Sequence, residues 1–376
     1  MLFSDVVAQT NLSNRLRECI RSGKVAHAQL FDGAEGSGAL ALARAYAQYL
    51  HCTNKTDDDS CGECDSCVAH SKLQHPDLHW SFPFFKKDSS GKSVSDPFQS
   101  SWRDMMLEGA YIGAEEWLNK IGADKKQLFI SVDEALEINR KLGLKAFHGG
   151  YKVLILWLPE TMRVDTANKL LKLIEEPTDK TVMLFVSSNS DRLLATILSR
   201  LQRVKVPRLN DDDAASGLEK ITGITLEKAM GWVHVTEGNI AAAKRLALSG
   251  TEIPDLELFS SWMRACWARD AEAMMRQTNE FAAPGREAQK RFITYALHMV
   301  RQCIVGNYGA NSLVRLTPGE QAFLSKFAKF IHHQNVVKIS SLLEAAHRDI
   351  VGNVNSKIVF MDLSVQIHML LRKEAA

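Results

Sequence analysis

The sequence predicts an α/β N-terminal domain built on a parallel sheet of the phosphate-loop type, followed by two all-α domains. Three observations carry this. Strand and helix signals alternate up to about Pro207, and repeated β–α units bury a parallel sheet under helices. Gly33 and Gly38 stand between a strand pattern and a helix pattern at the interval of a phosphate-binding loop. Beyond Pro207 the periodic segments are helical.

Taken in order, Ala28-Gln29-Leu30-Phe31-Asp32 suits a strand, and Leu40, Ala43, Tyr46, Ala47 and Leu50 recur at helical spacing. Between His79 and Asp124 the pattern weakens. Lys86–Ser93 is polar and small and is expected to be a mobile loop. Phe82, Phe84, Phe85, Trp102 and Trp117 flank it, and they are expected to pack on the domain surface, with a partner-docking arm as the other reading. Leu128–Val132 reads as a strand, with Asp133 capping a helix through Ala135, Ile138 and Leu142. Tyr151–Leu158 is a nearly continuous apolar run, as a buried parallel strand requires. Ala167, Leu170, Leu171 and Ile174 form a helical stripe that Glu175-Glu176-Pro177 ends. Val182–Val186 is a further buried strand, Leu193–Leu198 a short helix and Val204–Val206 a last strand.

After Pro207, residues 211–250 suit a small helical bundle, broken at Gly238-Asn239. Pro254 opens a third region with amphipathic runs through Leu342, Leu343, Ala346, Ile350 and Val351, then through Ile358, Met361, Ile367 and Leu371. Pro284-Gly285 and Thr317-Pro318-Gly319 mark breaks between helices. The expected domains are 1–207, 208–252 and 253–376.

A length of 376 residues fits two or three domains. The net charge of +2 gives no global drive toward nucleic acid, which leaves only local basic patches for such a role. No apolar run approaches the ~20 residues that span a bilayer. Met1–Asp5 lacks the basic and apolar regions of a secretory signal. A cytoplasmic protein with reduced thiols and no membrane partner is expected.

Four of the seven cysteines, Cys52, Cys61, Cys64 and Cys67, form C-x8-C-x2-C-x2-C. Two-residue gaps are common ligand spacings, and four thiolates can close a tetrahedral Zn²⁺ site. Such a site is structural, because no position is left for a substrate. Free thiols or two disulfides are the other readings, and disulfides are rare in the cytosol. Gly62 sits where a tight turn is useful. Cys19, Cys266 and Cys303 stand alone in helical apolar patterns and are expected to be buried core residues.

A working phosphate loop reads G-x-x-x-x-G-K-[ST], with the Lys on the β- and γ-phosphates and the hydroxyl on Mg²⁺. Here Gly33 and Gly38 keep the frame, while Ala39 and Leu40 replace the Lys and the hydroxyl. Either this is an ordinary glycine turn, or it is a nucleotide-binding module that has lost its chemistry.

Several motifs together carry a resemblance. Phe3-Ser4-Asp5-Val6-Val7-Ala8-Gln9, His27-Ala28-Gln29-Leu30-Phe31-Asp32-Gly33, the four-cysteine module and Ser199-Arg200-Leu201 occur in order. Ala167–Pro177 reads A-N-K-L-L-K-L-I-E-E-P. The chain resembles the delta-prime family of subunits of the bacterial DNA polymerase III clamp loader, within the AAA+ ATPases. Its sharp motifs lie in residues 1–207, and the helical remainder fits less specifically. The resemblance implies an AAA+ domain, a small helical lid and a helical collar that joins other subunits, both gamma/tau-like ATPases and delta-like chains. Through that complex it implies work on a sliding clamp and primed DNA during replication. Any enzyme class would come by association with the polymerase holoenzyme.

The departures set the expected mechanism. An active member has an acidic pair at the end of the strand occupied here by Leu156-Trp157-Leu158, where it holds Mg²⁺ and orients water. Glu160 lies past that pair, beyond Pro159. Ala241 stands near where the lid helix of an active member presents an Arg. ATP hydrolysis by this chain is therefore not expected, nor is ATP binding. Arg200 is retained at the family's arginine-finger position, which serves a neighbouring subunit's ATP. An ordinary helix-end salt bridge is its other reading. The alternatives are an active gamma/tau-like clamp-loader ATPase and a zinc-dependent nucleic-acid-binding protein. Asp57, Asp58, Asp59, Glu63 and Asp65 make the cysteine module acidic, which repels phosphates.

Overall fold

Strand β1 (Ala28–Asp32) lies inside a five-stranded sheet with β2 (Leu78–Ser81), β3 (Lys152–Trp157), β4 (Thr181–Ser187) and β5 (Gln202–Lys205). The order is β2-β3-β4-β1-β5, and every pairing is parallel, with Leu30 opposite both Phe185 and Arg203. The structure is a computed structural model that describes residues 1–86, 92–123, 126, 128–147, 149–248, 256–309, 314–316, 318–352 and 354–372. Most of the loop expected at 86–93 therefore lies outside the described residues, as does Pro254.

The inner strands β3 and β4 are buried along their whole length. This is why they read as continuous apolar runs. Helices α1 (Thr10–Arg21), α2 (Ala39–His51), α3 (Asp65–Ser71), α4 (Gln99–Glu108), α5 (Ala114–Lys120), α6 (Val132–Gly143), α7 (Val164–Glu175), α8 (Ala195–Leu198) and α9 (Asp211–Thr222) surround the sheet in the chain's first compact unit. That unit spans residues 1–226 and takes in 238–245. One side of its core joins Leu30, Leu154, Leu156 and Phe185 to Ile138 and Leu142 of α6 and Leu170 and Ile174 of α7. On the other side α2 is buried through twelve residues, Ala39 to Leu50.

The segment around 78–132 departs from expectation. The sequence pattern missed β2, four residues paired on one side with β3. No strand runs from Leu128 to Val132. Phe129 forms an isolated antiparallel bridge to Phe84, and Ile130 a parallel one to Met162. Helix α6 already starts at Val132, and its cap is Ser131 rather than Asp133: the Ser131 hydroxyl accepts from Glu134 N at 3.1 Å. The aromatics do not lie on the surface either. Phe82, Phe84, Phe85, Trp102 and Trp117 are all buried. Phe82 stacks on Trp102 at 4.4 Å, Trp102 meets Trp117 edge-on at 5.3 Å, and Trp117 Nε1 donates to Pro83 O at 2.6 Å. The inserted segment has an aromatic core of its own, which β2 and β3 extend through Trp80 and Trp157.

Helices α10 (Leu226–Val235) and α11 (Ile240–Leu248) follow. The second unit spans 227–237 and 246–376, and its elements among the described residues are all helices. Its main helices are α12 (Leu256–Ala268), α13 (Ala271–Ala282), α14 (Arg286–Asn307), α15 (Pro318–Phe327), α16 (Val336–Val351) and α17 (Ser356–Leu371). Phe281 stacks on Phe360 at 4.0 Å, and Trp262 donates to Ser364 Oγ at 2.8 Å. Cys266 and Cys303 are buried in this core as expected, whereas Cys19 is only half-buried. No helix among the described residues is long and apolar enough to cross a membrane.

Candidate functional site

The loop Gly33–Gly38 leaves β1 and enters α2 at the carboxyl ends of the strands, where open α/β sheets bind ligands. Gly36 and Gly38 both take positive φ, +80° and +92°, the left-handed backbone that glycine adopts most readily. Its side chains point elsewhere. Ala39 and Leu40, at the positions of the catalytic Lys and hydroxyl, are buried in the first turn of α2. At the end of β3, Trp157 and Leu158 are buried where carboxylates would be needed. Glu160 is turned toward the end of β4. It accepts from Ser187 Oγ at 2.9 Å, Ser188 N at 3.0 Å, Ser188 Oγ at 2.8 Å and Asn189 N at 3.2 Å.

Protein groups crowd the space over the loop. A small cavity, open to solvent, remains among Gly33–Gly36, Gly38–Leu40, Ala110–Ile112, Trp157, Leu158 and Val186–Ser188. Tyr111 reaches in so closely that a Cβ on Gly38 would lie 3.2 Å from its hydroxyl. The Tyr111 hydroxyl accepts from Val7 N at 2.8 Å, and burial pushes its pKa up to about 12. Gln9 Nε2 donates to Ser37 O at 3.0 Å and to Pro207 O at 2.9 Å, which joins the opening motif to the loop and to the end of β5.

Glu35 fastens the loop on two sides. Its carboxylate accepts from Ala114 N, at the start of α5, at 3.1 Å and from Asn239 Nδ2 at 3.3 Å. Asn239 in turn caps α11 by accepting from Ala242 N at 3.1 Å. A Cβ on Gly36 would lie 2.2 Å from Asn239 Oδ1, so only glycine fits. Ala241 is buried, and the cations of α11 stand one turn later. Lys244 pairs with Glu116 at 3.2 Å and Arg245 with Glu115 at 2.9 Å, both on α5. Sequence reasoning missed this set. Its one visible signal was Gly238-Asn239, read as a helix break although Asn is also a favoured cap.

The Lys244–Glu116 pair is 5 % and 20 % exposed, and removing one partner of a buried pair strands the other charge. Lys244→Met is expected to lower the stability of this unit by about 3 kcal/mol, while Lys244→Met with Glu116→Gln recovers most of it. Urea denaturation of the single and double variants checks this.

Arg200 follows the one-turn helix α8 at the edge of the sheet. Its Nε donates to Glu175 Oε1 at 2.5 Å, and its Nη1 donates to Thr196 O at 2.9 Å and Ser199 Oγ at 3.3 Å. The helix-end ion pair read from sequence thus exists, and the side chain remains 35 % exposed.

The four cysteines converge. Cys52 and Cys61 sulfurs lie 3.6 Å apart, Cys52 and Cys64 3.9 Å, and Cys61 and Cys67 3.9 Å. A tetrahedron with Zn–S bonds of about 2.3 Å has edges of about 3.8 Å, so the set fits zinc. Backbone amides point at the sulfurs as thiolates require: Cys61 N to Cys52 at 3.4 Å, Cys64 N to Cys61 at 3.3 Å and Cys67 N to Cys64 at 3.5 Å. Gly62 makes the turn with φ +77°. The acidic loop is spent on the chain itself. Asp59 accepts from Phe3 N at 3.0 Å and Ser4 N at 2.9 Å, Arg21 pairs with Asp57 at 3.1 Å, and Arg17 donates to Asp58 O.

Beside it lies a cluster the sequence did not suggest, His51, His70 and His75. His51 Nε2 donates to Tyr151 O at 2.8 Å, and its Nδ1 accepts from His70 Nε2 at 2.8 Å. The rings of His51 and His75 stack at 4.1 Å and 8°. Parallel rings cannot aim in-plane lone pairs at one ion, so the trio is hydrogen-bonded packing. Burial, and then the neighbouring His75, lower the His51 pKa to about 3.

Comparison with known proteins gives the chain a family. Residues 8–210 match the family model described as DNA polymerase III, delta subunit. The chain is 31% identical over 212 residues to DNA polymerase III subunit delta' of Pseudomonas aeruginosa, covering 53% of this chain and 52% of that protein. It is 26% identical over 241 residues to the delta' subunit of Haemophilus influenzae, covering 64% and 60%. It is also 24% identical over 219 residues to DNA polymerase III subunit tau of Bacillus subtilis, covering 58% and 31%. The chain thus spans between about a third and three-fifths of the length of these relatives. Because the family model matches more than half of the chain, this protein belongs to the DNA polymerase III delta-subunit family of clamp-loader proteins.

Proposed function

We propose that the chain is a non-catalytic, delta-prime-like subunit of a DNA polymerase III clamp loader. It has an AAA+ domain at 1–207, a lid at 208–252 and a collar at 253–376. In this reading it works in the bacterial cytoplasm with gamma/tau-like ATPases and a delta-like chain, on a sliding clamp and primed DNA. Arg200 serves as an arginine finger for a neighbour's ATP, and Cys52, Cys61, Cys64 and Cys67 hold a structural zinc ion. The observation that carries the non-catalytic role is the side-chain set at the loop. Ala39, Leu40, Trp157 and Leu158 supply none of the charge that phosphoryl transfer needs, and Tyr111 packs close against Gly38. Kinship with tau chains leaves an active ATPase as the competing reading, and these side chains weigh against it.

The test is direct. The purified chain is expected to show no ATP turnover and no binding of a fluorescent ATP analogue, yet to be captured by a clamp-loader ATPase. Ala39→Lys with Leu40→Thr is expected to restore no turnover, because Trp157 and Leu158 still supply no carboxylate for the metal. Turnover that follows the protein through successive purification steps would sink the non-catalytic reading.

A further inference from the structure

The E-E-P motif is the sharpest pattern in the chain, and nothing above gives it a task. In space its first carboxylate meets the other motif. We propose that Glu175 is the positioning residue for Arg200, holding the guanidinium in the orientation it presents to a neighbouring subunit's nucleotide. This rests on the finger reading of Arg200.

The geometry supports a holder rather than a chance pair. Glu175 is the last residue of α7, and Pro177 forbids the helix from continuing. The carboxylate therefore sits on a fixed backbone end. Arg200 follows α8, whose single turn offers Thr196 O and the hydroxyl of its cap residue, Ser199. A guanidinium has five N–H donors in one plane. The Nε–H goes to Glu175 and the two on Nη1 go to Thr196 and Ser199. These bonds fix the plane from two elements and leave over the two N–H groups of Nη2. A finger ordered before it meets phosphate loses less freedom at the encounter than one on a free four-bond stem. The ion pair is half-exposed, 35 % and 47 %, so its own stabilisation is small. Orientation is the contribution left to it.

The experiment uses the reconstituted clamp loader with DNA-stimulated ATP turnover, with assembly of each variant verified by gel filtration. Glu175→Ala is expected to slow the site that Arg200 faces about tenfold, the low end for loss of a supporting partner, and so to remove most of that site's share of the complex's turnover, with KM for ATP unchanged. Glu175→Gln keeps an acceptor oxygen without the charge and is expected to recover most of the rate. Arg200→Ala runs beside them. If Arg200→Ala slows turnover while Glu175→Ala does not, the positioning role is overturned and the finger stands. A Gln variant as slow as the Ala variant also overturns positioning, since charge would then be what matters. If Arg200→Ala itself leaves turnover unchanged, the finger reading fails and this inference falls with it.

Discussion

Arg200→Ala is expected to slow the DNA-stimulated ATPase of the assembled clamp loader while leaving assembly intact. An arginine finger is worth about 10³–10⁵ in rate at the site it serves. Only the site facing this subunit should lose that factor, so the whole complex slows by the share of turnover passing through it. The two readings of Arg200 separate here. As a surface ion pair with Glu175 it contributes about 0–1 kcal/mol to folding, and its loss would leave turnover untouched. As a finger its loss removes positive charge from a transition state, and stability hardly changes. Arg200→Lys is expected to restore little, because an ammonium lacks the planar fork that matches phosphate oxygens. An unchanged rate in a fully assembled Ala variant would leave Arg200 a structural residue.

The sequence carried the sheet where strands are buried on both faces. Residues 151–158 and 182–186 read as buried parallel strands, and β3 and β4 occupy them. It failed where the partner of a residue is far along the chain. Leu78–Ser81 is too short and mixed to read as a strand until β3 lies beside it. The aromatics of 82–117 looked superficial because their mutual packing depends on turns with no apolar period. At the site, the missing Lys and hydroxyl at 39 and 40 were legible because a phosphate loop is defined by local spacing, whereas the missing carboxylates at 157 and 158 were legible only through the family resemblance. The groups packed around the loop were not. Glu35, Tyr111 and the Asn239–Lys244 pair come from three separate segments, and their meeting depends on the fold. The cysteine cluster was legible for the opposite reason, since its four cysteines lie within sixteen residues.

That module yields the other large effect. Cys67→Ser, or removal of metal by a chelator, is expected to loosen residues 3–21 as well as 52–75. The cysteine loop carries Asp57, Asp58 and Asp59, and these hold Phe3, Ser4, Arg17 and Arg21. If zinc fixes the loop, the ion fastens α1 and the opening segment to the outside of α2, and metal affinity becomes folding energy. At free zinc a thousandfold above its Kd, the stabilisation lost is about 4 kcal/mol. The sheet keeps its own core, so loss of zinc should raise amide exchange locally and leave β1, β3 and β4 protected. Elemental analysis of protein purified without chelators should give one zinc per chain. Exchange measured by mass spectrometry then tells the two parts of the argument apart. No zinc at all removes the metal site. Zinc present, but exchange at 3–21 unchanged on its removal, would mean that the aspartates hold the opening segment without help from the metal.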